Sequence, residues 1–217
     1  MTECPLGNTA GKVEMAIDTL EALRSVYRPP GPRAGLKILD QLDVHCRNFI
    51  ALSSFYVIAS ARADGRADAS PRGDPPGSLA YILDDKTLLL PDRPGNRQVD
   101  TLMNLVECPH VGLVFFVPGL TETLRINGRA EISTDAALLK LLAVEGKRPL
   151  SVLKVKVEEA FLHCAKALIR ARLWDPEAQV ERSCYPTYGQ VLADQIAGVE
   201  ATEIDAGEAE SARTELF

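Results

Sequence analysis

The segment over residues 88–105 has the strongest chemical signature in this sequence. An apolar, strand-like run enters a Pro-Gly loop, and the loop leads into a predicted helix over residues 96–105. Arg93 and Arg97 bracket this predicted helix start, although the positive end of a helix dipole favours acidic side chains. Two cations at this position indicate that an anion binds there.

A bound phosphate would explain the two arginines. Its oxygens would accept hydrogen bonds from the backbone N–H groups of residues 96–98, with Asn96 as helix cap or direct ligand. The arginines would add charge-assisted bonds. The alternative is a solvated loop whose arginines pair with Asp92 and Asp100.

A second polar run precedes this loop, in a predicted hairpin. Its side chains alternate between the two strand faces, with Asp68, Ser70 and Arg72 on one face and Ala67 and Ala69 on the other. We expect strand pairing to stop at Pro71, because proline has no N–H to donate. Small side chains leave room for a flat ligand, and the alternative is an edge hairpin with a polar face.

Seven segments with strand periodicity must position these residues. They span residues 55–61, 66–72, 79–83, 86–90, 111–117, 123–132 and 151–159. Asp64-Gly65 and Asp84-Asp85 predict hairpin turns, and Asn127-Gly128 predicts a glycine bulge inside one continuous strand. Seven strands in about 105 residues are typical of a barrel or sandwich.

Helical patterns surround these strands. They cover residues 14–27, 39–52, 96–105, 134–144, 163–173 and 187–196. We expect an N-terminal helix and Pro-rich linker over 1–35, one domain over 36–199, and an acidic, disordered tail over 200–217. That tail holds six acids and one base.

Composition excludes several classes of protein. The 217 residues carry a net charge of −6, most of it in the tail, and no basic stripe or nucleic-acid motif is present. No apolar run is long enough to span a membrane, and residues 1–35 do not resemble a secretion signal. Five cysteines without C-x-x-C spacing predict reduced thiols in the cytoplasm. Adjacent His-Cys pairs rarely ligate one metal, so we expect no metal site.

The order of these motifs resembles the pyridoxamine 5'-phosphate oxidase-related superfamily. The resemblance covers about residues 40–175 and rests on ADGRADASPRGD, TLLLPDRPGNRQVDTLMNL, VGLVFFVPG and TLRINGRAEI. It is strongest to a branch of FMN-dependent proteins with PDRPGNR and FLHCAKA motifs. The implied fold is mainly β with flanking helices, a six-stranded antiparallel split β-barrel of the FMN-binding type.

The resemblance also implies a cofactor, a partner and a site. It implies a homodimer with two FMN molecules at the subunit interface and a small-molecule substrate that exchanges a hydride with the flavin. The residues that match the family's FMN contacts are Ser70, Arg72, Arg93, Asn96, Arg97, Asp100 and Thr101.

Residues near the C-terminal end of the last predicted strand are candidates for catalysis. On a helix, His163 and Lys166 would share one face at i, i+3, where they would orient a substrate and exchange a proton. The alternative is that His163 closes the barrel end and Lys166 is solvated. For Trp174 we expect a packing role rather than stacking on the flavin.

The chain departs from true pyridoxamine 5'-phosphate oxidases at its C-terminal end. Those enzymes end in an R-L-H-D type segment that helps to hold pyridoxal phosphate, whereas this chain ends in the acidic tail. Oxidation of pyridoxamine phosphate is therefore not expected. A haem, deazaflavin or FMN carrier of the same fold is the alternative to an oxidoreductase, and an interaction module acting through the tail is a third hypothesis.

Overall fold

The computed structural model describes residues 16–214. The chain divides into two compact units, residues 1–36 and 37–217. In the first unit, the described residues form helices α1 (Leu20–Val26) and α2 (Arg33–Leu36). The Thr19 hydroxyl accepts a hydrogen bond from the Ala22 N–H at 3.1 Å and caps α1. The helix predicted from residue 14 therefore begins later, and residues 14 and 15 lie outside the described part.

A seven-stranded antiparallel sheet dominates the second unit. Its strands are β1 (Phe55–Ala61), β2 (Ala67–Gly73), β3 (Tyr81–Asp84), β4 (Thr87–Asp92), β5 (His110–Phe116), β6 (Thr123–Ser133) and β7 (Ser151–His163). Their order is β2-β1-β5-β6-β7-β4-β3, so β2 and β3 are the free edges. The resemblance implied a six-stranded split barrel; the structure corrects the number to seven strands, in a sheet that is not closed and is consistent with the split-barrel fold. The alternation of apolar residues had predicted seven.

Both predicted hairpins are confirmed. β1 and β2 pair around Gly65, which has φ 87°, a conformation that glycine adopts without strain. β3 and β4 also pair, with Asp84 opposite Thr87, so the turn residues are Asp85 and Lys86, one position later than predicted. The expectation that pairing stops at Pro71 is wrong, because Pro71 pairs with Val57 and the register continues to Gly73. An edge strand tolerates proline, since one side of it lacks a partner strand.

The core lies on one face of the sheet, which we call the inner face. Tyr56, Ile58, Leu113 and Phe115 of β1 and β5 are buried there. Leu88, Leu89 and Leu90 of β4 are all fully buried, since Leu88 and Leu90 join this core and Leu89 packs in a second cluster on the other side. The opposite face of β1, β5, β6 and β7 is called the outer face.

Helices cover the inner face and the sheet ends. The remaining helices of the described part are α3 (Val44–Leu52), α4 (Asp100–Glu107), α5 (Ala136–Leu141), α6 (Lys166–Ala171), α7 (Tyr188–Gln195) and α8 (Ala201–Thr214), with short 3₁₀ turns at Pro176–Ala178 and Arg182–Cys184. Cys46, Phe49 and Ile50 of α3 and Leu105 of α4 enter the core. Within residues 16–214, none of the helices has the length and apolar character to cross a membrane.

The predicted irregularity at Asn127-Gly128 is present, but the extra residue lies on the neighbouring strand. Asn127 pairs with Glu159 and Gly128 pairs with Val157, so Glu158 of β7 has no partner. β6 itself is continuous, as predicted. A Cβ on Gly128 would lie 2.1 Å from the Lys156 carbonyl oxygen, so glycine is needed for close approach of the two backbones.

The disorder expected for the acidic tail is not observed over residues 201–214. These residues form α8, whose Asp205 side chain accepts a hydrogen bond from the Gly189 N–H at 2.8 Å. A Cβ on Gly189 would lie 2.1 Å from the Ala201 carbonyl oxygen, so α7 and α8 are in close backbone contact. The low content of large apolar residues predicted disorder, but this segment also contains four alanines, which favour helix.

Candidate functional site

The polar face of β2 lies as the sequence predicts. Asp68, Ser70 and Arg72 are half-buried on the inner face, and the intervening residues of the strand are exposed. Arg72 lies opposite Tyr56 on β1. The Arg72 guanidinium donates hydrogen bonds to the Ser70 hydroxyl and, at 3.0 Å, to the Pro71 carbonyl oxygen. Ser70 and Arg72 therefore form one polar unit on the edge strand.

Charged side chains surround the buried Tyr56 hydroxyl. Arg72, Asp92, Asp74 and Arg93 all act electrostatically on it, and burial raises the pKa of Tyr56 far above its usual value. Burial also raises the pKa of Asp92, against the opposing effect of Arg72. Two arginines and two carboxyl groups thus lie near Tyr56 at one end of the sheet, and their charges largely cancel.

Arg93 holds together three parts of the fold. Its Nε donates to Asp74 Oδ2 at 2.8 Å, and its Nη1 donates to the Leu142 carbonyl oxygen at 3.0 Å. The side chains of Arg93 and Asp74 are only 12% and 3% exposed. Burial raises the pKa of Asp74, and the Arg93 guanidinium opposes this shift. The structure thus shows Arg93 joining these segments of the fold, and its predicted contact with a phosphate stays a prediction.

The helix after the loop begins later than predicted. α4 starts at Asp100, and Arg97 and Val99 have φ 61° and 50°, left-handed values that interrupt a helix. The Asn96 side chain accepts a hydrogen bond from the Gln98 N–H at 3.1 Å and donates one to Gln98 Oε1 at 2.8 Å. The N–H groups of residues 96–98 are therefore loop groups, which corrects the predicted helix start.

Arg97 differs from the other arginines of this region. It is exposed, and within residues 16–214 it makes neither a hydrogen bond nor an ion pair. Asp100 occupies the first turn of α4, where an acidic side chain is favourable. Arg97 is consequently the cation of this loop whose charge is left for a ligand.

A buried polar cluster lies beneath β2; sequence reasoning had named Thr101 as a cofactor contact but had missed Ser60 and Asn104. Asn104 Nδ2 donates to the Ser60 hydroxyl at 2.9 Å, and Ser60 lies opposite Asp68 across β1 and β2. Thr101 and Asn104 are each 2% exposed, and three of the cluster's atoms have no partner in the described part: Asp68 Oδ2, Thr101 Oγ1 and Asn104 Oδ1. In the sequence, the signal for this cluster was the pair Thr101 and Asn104, two polar residues at i and i+3 on the side of α4 that faces the core.

His163 and Lys166 do not share a helix face. His163 is the last residue of β7 and Lys166 is the first residue of α6, and both are exposed. β7 lies four strands from β2, a path of about 19 Å along the sheet between His163 and the strand that carries Ser70 and Arg72. The two residues do not have the i, i+3 helical spacing that the sequence predicted. Their catalytic role stays a prediction.

The packing role expected for Trp174 is supported by one contact. Its Nε1–H donates to the Leu120 carbonyl oxygen at 2.7 Å, which joins the segment after α6 to the β5–β6 connection. The four cysteines in the described part, at positions 46, 108, 164 and 184, are free thiols.

Comparison with known proteins identifies the family. The profile described as pyridoxamine 5'-phosphate oxidase matches residues 42–164, which are more than half of the chain. The chain belongs to the pyridoxamine 5'-phosphate oxidase family. The match spans all seven strands and the loop with Arg97, so the family resemblance inferred from the motifs is confirmed. No curated protein matches the chain.

Several solved structures are similar to this pyridoxamine 5'-phosphate oxidase family member. A putative pyridoxamine 5'-phosphate oxidase from Lactobacillus delbrueckii has 22% identity and a TM-score of 0.45, covering 57% of this chain and 95% of its own. HupZ from Group A Streptococcus has 20% identity and a TM-score of 0.44, covering 54% and 91%. An FAD binding protein from Mycobacterium smegmatis has 12% identity and a TM-score of 0.40, covering 58% and 97%.

Proposed function

We propose that this family member is an FMN-dependent oxidoreductase that transfers a hydride between a small organic substrate and the flavin. The observation that carries the proposal is Arg97, an exposed arginine without a protein partner in the described part. Its loop runs from Arg93, which pairs with Asp74 directly after β2, to α4, whose Asn104 donates to Ser60 of β1. A phosphate monoester at the end of a flavin requires such a cation.

The residues around Arg97 fit FMN. Arg97 would bind the terminal phosphate together with the amide of Asn96, once that amide exchanges its bond to Gln98. Ser70 and Arg72 would contact the flavin from the edge strand, and the unpartnered Thr101 hydroxyl offers a further polar group. When bound, FMN supplies a two-electron acceptor, so the protein only has to bind and orient the substrate.

A second copy of the chain completes this proposal. Phe55 on the outer face is 39% exposed and its ring lies 5.9 Å from that of Phe116, next to the half-buried Val57 and Val114. This apolar patch on β1 and β5 is typical of an interface. Because β7 lies four strands from β2 of its own chain, we propose that His163 and Lys166 act on the flavin of the partner subunit.

Replacement of Arg97 tests the cofactor. A charge-assisted bond to phosphate contributes about 1.5 to 3 kcal/mol, so Arg97→Ala should weaken FMN binding about 10- to 150-fold. Riboflavin lacks the phosphate, and its affinity should hardly change. Flavin fluorescence titrations of wild type and variant measure both ligands, and Arg129→Ala, an exposed arginine on β6, is the control.

The outcomes separate the hypotheses. An equal loss for FMN and riboflavin, or none for FMN, would show that Arg97 is not at the phosphate. Purified protein that binds no flavin and shows a Soret band would replace the flavin hypothesis by a haem carrier. Flavin binding without turnover of any substrate would leave a carrier rather than an oxidoreductase.

Sedimentation equilibrium tests the dimer. We expect dimers at micromolar concentration, and Val114→Glu should shift the protein towards monomers because it places a charge in the apolar patch. Arg129→Glu, which also introduces an acid on the outer face, is the control. A monomeric wild-type protein would contradict the shared site.

A further inference from the structure

Two cationic side chains and an imidazole lie around the Phe161 ring on the outer face of the sheet. Lys37 Nζ lies 5.5 Å from the ring centroid and the guanidinium carbon of Arg125 lies 5.9 Å from it. The His163 ring centroid is 6.4 Å from that of Phe161. We call these four residues the Phe161 cluster. Both cation distances are within the range of cation–π attraction.

Three chain segments fix this cluster in place. Arg125 lies directly opposite Phe161 in the register of β6 and β7. Lys37 Nζ donates to the Leu162 carbonyl oxygen at 2.7 Å. Two backbone hydrogen bonds, of 3.0 and 2.8 Å, join Leu39 to Ala160 and hold the segment with Lys37 against β7. The Lys37 ammonium and the backbone of Arg125 are therefore positioned before any ligand arrives, which lowers the entropy cost of binding.

No carboxylate neutralises the cluster within the described part. Neither Lys37 nor Arg125 has an acidic oxygen within 4.0 Å, and the exposed Arg125 guanidinium makes no hydrogen bond there. Glu159, two residues before Phe161 on the same face, instead accepts a hydrogen bond from Asn127 Nδ2 at 2.7 Å. Two positive charges within reach of one ring thus remain available to an anion.

We propose that the Phe161 cluster is a binding site for a small organic anion that carries a carboxylate or phosphate beside a planar apolar group. The fork of Arg125 donors matches either anion in a bidentate manner, and Lys37 adds a second charge. The Phe161 ring contacts the apolar part, and His163 contributes a donor at the rim. This proposal goes beyond the flavin function and does not depend on Arg97; Lys37, Arg125 and Phe161 carry it, and His163 is the one residue that it shares with the catalytic role proposed above.

Titration of four simple anions tests the site. Benzoate and phenyl phosphate carry an aromatic ring, whereas acetate and inorganic phosphate do not, so the four probes separate the charge from the ring. Calorimetry on the purified protein should show saturable binding of one or both aromatic probes. Arg125→Gln and Lys37→Gln should each weaken that binding about 10- to 150-fold.

Two controls keep the test specific. Arg129→Gln, on the same strand and face but beside His110 rather than Phe161, should leave the affinity unchanged. Phe161→Leu should weaken the binding of the two aromatic probes and leave the affinity for inorganic phosphate equal to that of the wild type. Circular dichroism confirms that each variant is folded.

The results decide the proposal in either direction. Binding of only carboxylates or only phosphates supports it and narrows the ligand class. Absence of saturation at about 10 mM for both aromatic probes, or equal losses in Arg125→Gln and Arg129→Gln, overturns it. Arg97→Ala should not alter the binding of these probes, so a failure of the flavin proposal would be recognised separately.

Discussion

Replacement of Arg93 distinguishes a packing role from a role in phosphate binding. Arg93→Ala removes the partner of Asp74, whose side chain is 3% exposed and whose second carboxylate oxygen has no other partner in the described part. Breaking a buried pair from one side costs about 3 to 5 kcal/mol, because a charge remains buried and unpaired. The hydrogen bonds from Arg93 to the carbonyl oxygens of Leu142 and Ser78 are lost as well.

The pH dependence of this loss follows from the pKa of Asp74. Burial already raises that pKa, and removal of Arg93 raises it further. A carboxyl group with a raised pKa in the folded state binds more protons when folded than when unfolded, so stability falls as pH rises from about 4 through the folded-state pKa. Arg93→Ala should therefore be most destabilising at neutral pH and less so in acid.

Urea unfolding of the variant at pH 7 and pH 4.5 measures this effect. The double variant Asp74→Asn/Arg93→Ala should regain part of the stability, because it contains no unpaired carboxylate. Arg66→Ala breaks an exposed pair with Asp64 and should cost less than about 1 kcal/mol. The reasoning is refuted if Arg93→Ala costs less than about 1 kcal/mol, or if the double variant is no more stable than Arg93→Ala.

Two further predictions concern the core and the bulge. Burial raises the pKa of the Cys46 thiol from 9.0 to about 11. The free energy of unfolding should therefore fall by about 2 to 3 kcal/mol between these two pH values, because the unfolded state loses the thiol proton first. Cys46→Ala should remove that fall in urea titrations at alkaline pH. A loss of equal size in the variant would contradict this. Gly128→Ala should lower the free energy of unfolding by about 1 to 3 kcal/mol because its Cβ meets the Lys156 backbone, whereas Gly112→Ala, with its nearest contact at 3.5 Å, should be almost neutral. Equal effects of the two replacements in urea unfolding would refute the close-approach argument.

Local patterns in the sequence were sufficient for most of the strands and for the polar face of β2. Alternation along one strand depends only on which face is buried, so Ser70 and Arg72 could be placed together from the sequence. Gly65 marked a hairpin for the same kind of local reason, because few other residues tolerate its φ. The bulge was located at Gly128, although the identity of the extra residue, Glu158, required the register of two strands.

Contacts between distant segments were not accessible from the sequence. Arg93 and Asp74 are 19 residues apart, and their pairing depends on how β2 and β4 end near each other. The helix start at Asp100 rather than Asn96 depends on left-handed backbone at Arg97 and Val99, which no residue type there predicts.

The sequence by itself determined the family, the strands and the loop that carries Arg97, because each is encoded in residues close together in the chain. Only the tertiary structure decided which arginine is free for a ligand, since that depends on the carboxylate that folding brings beside each one. Arg93 is occupied by Asp74, whereas Arg97 is not paired in the described part. The Phe161 cluster was likewise decided by tertiary structure, because Lys37, Arg125 and His163 meet only through strand pairing.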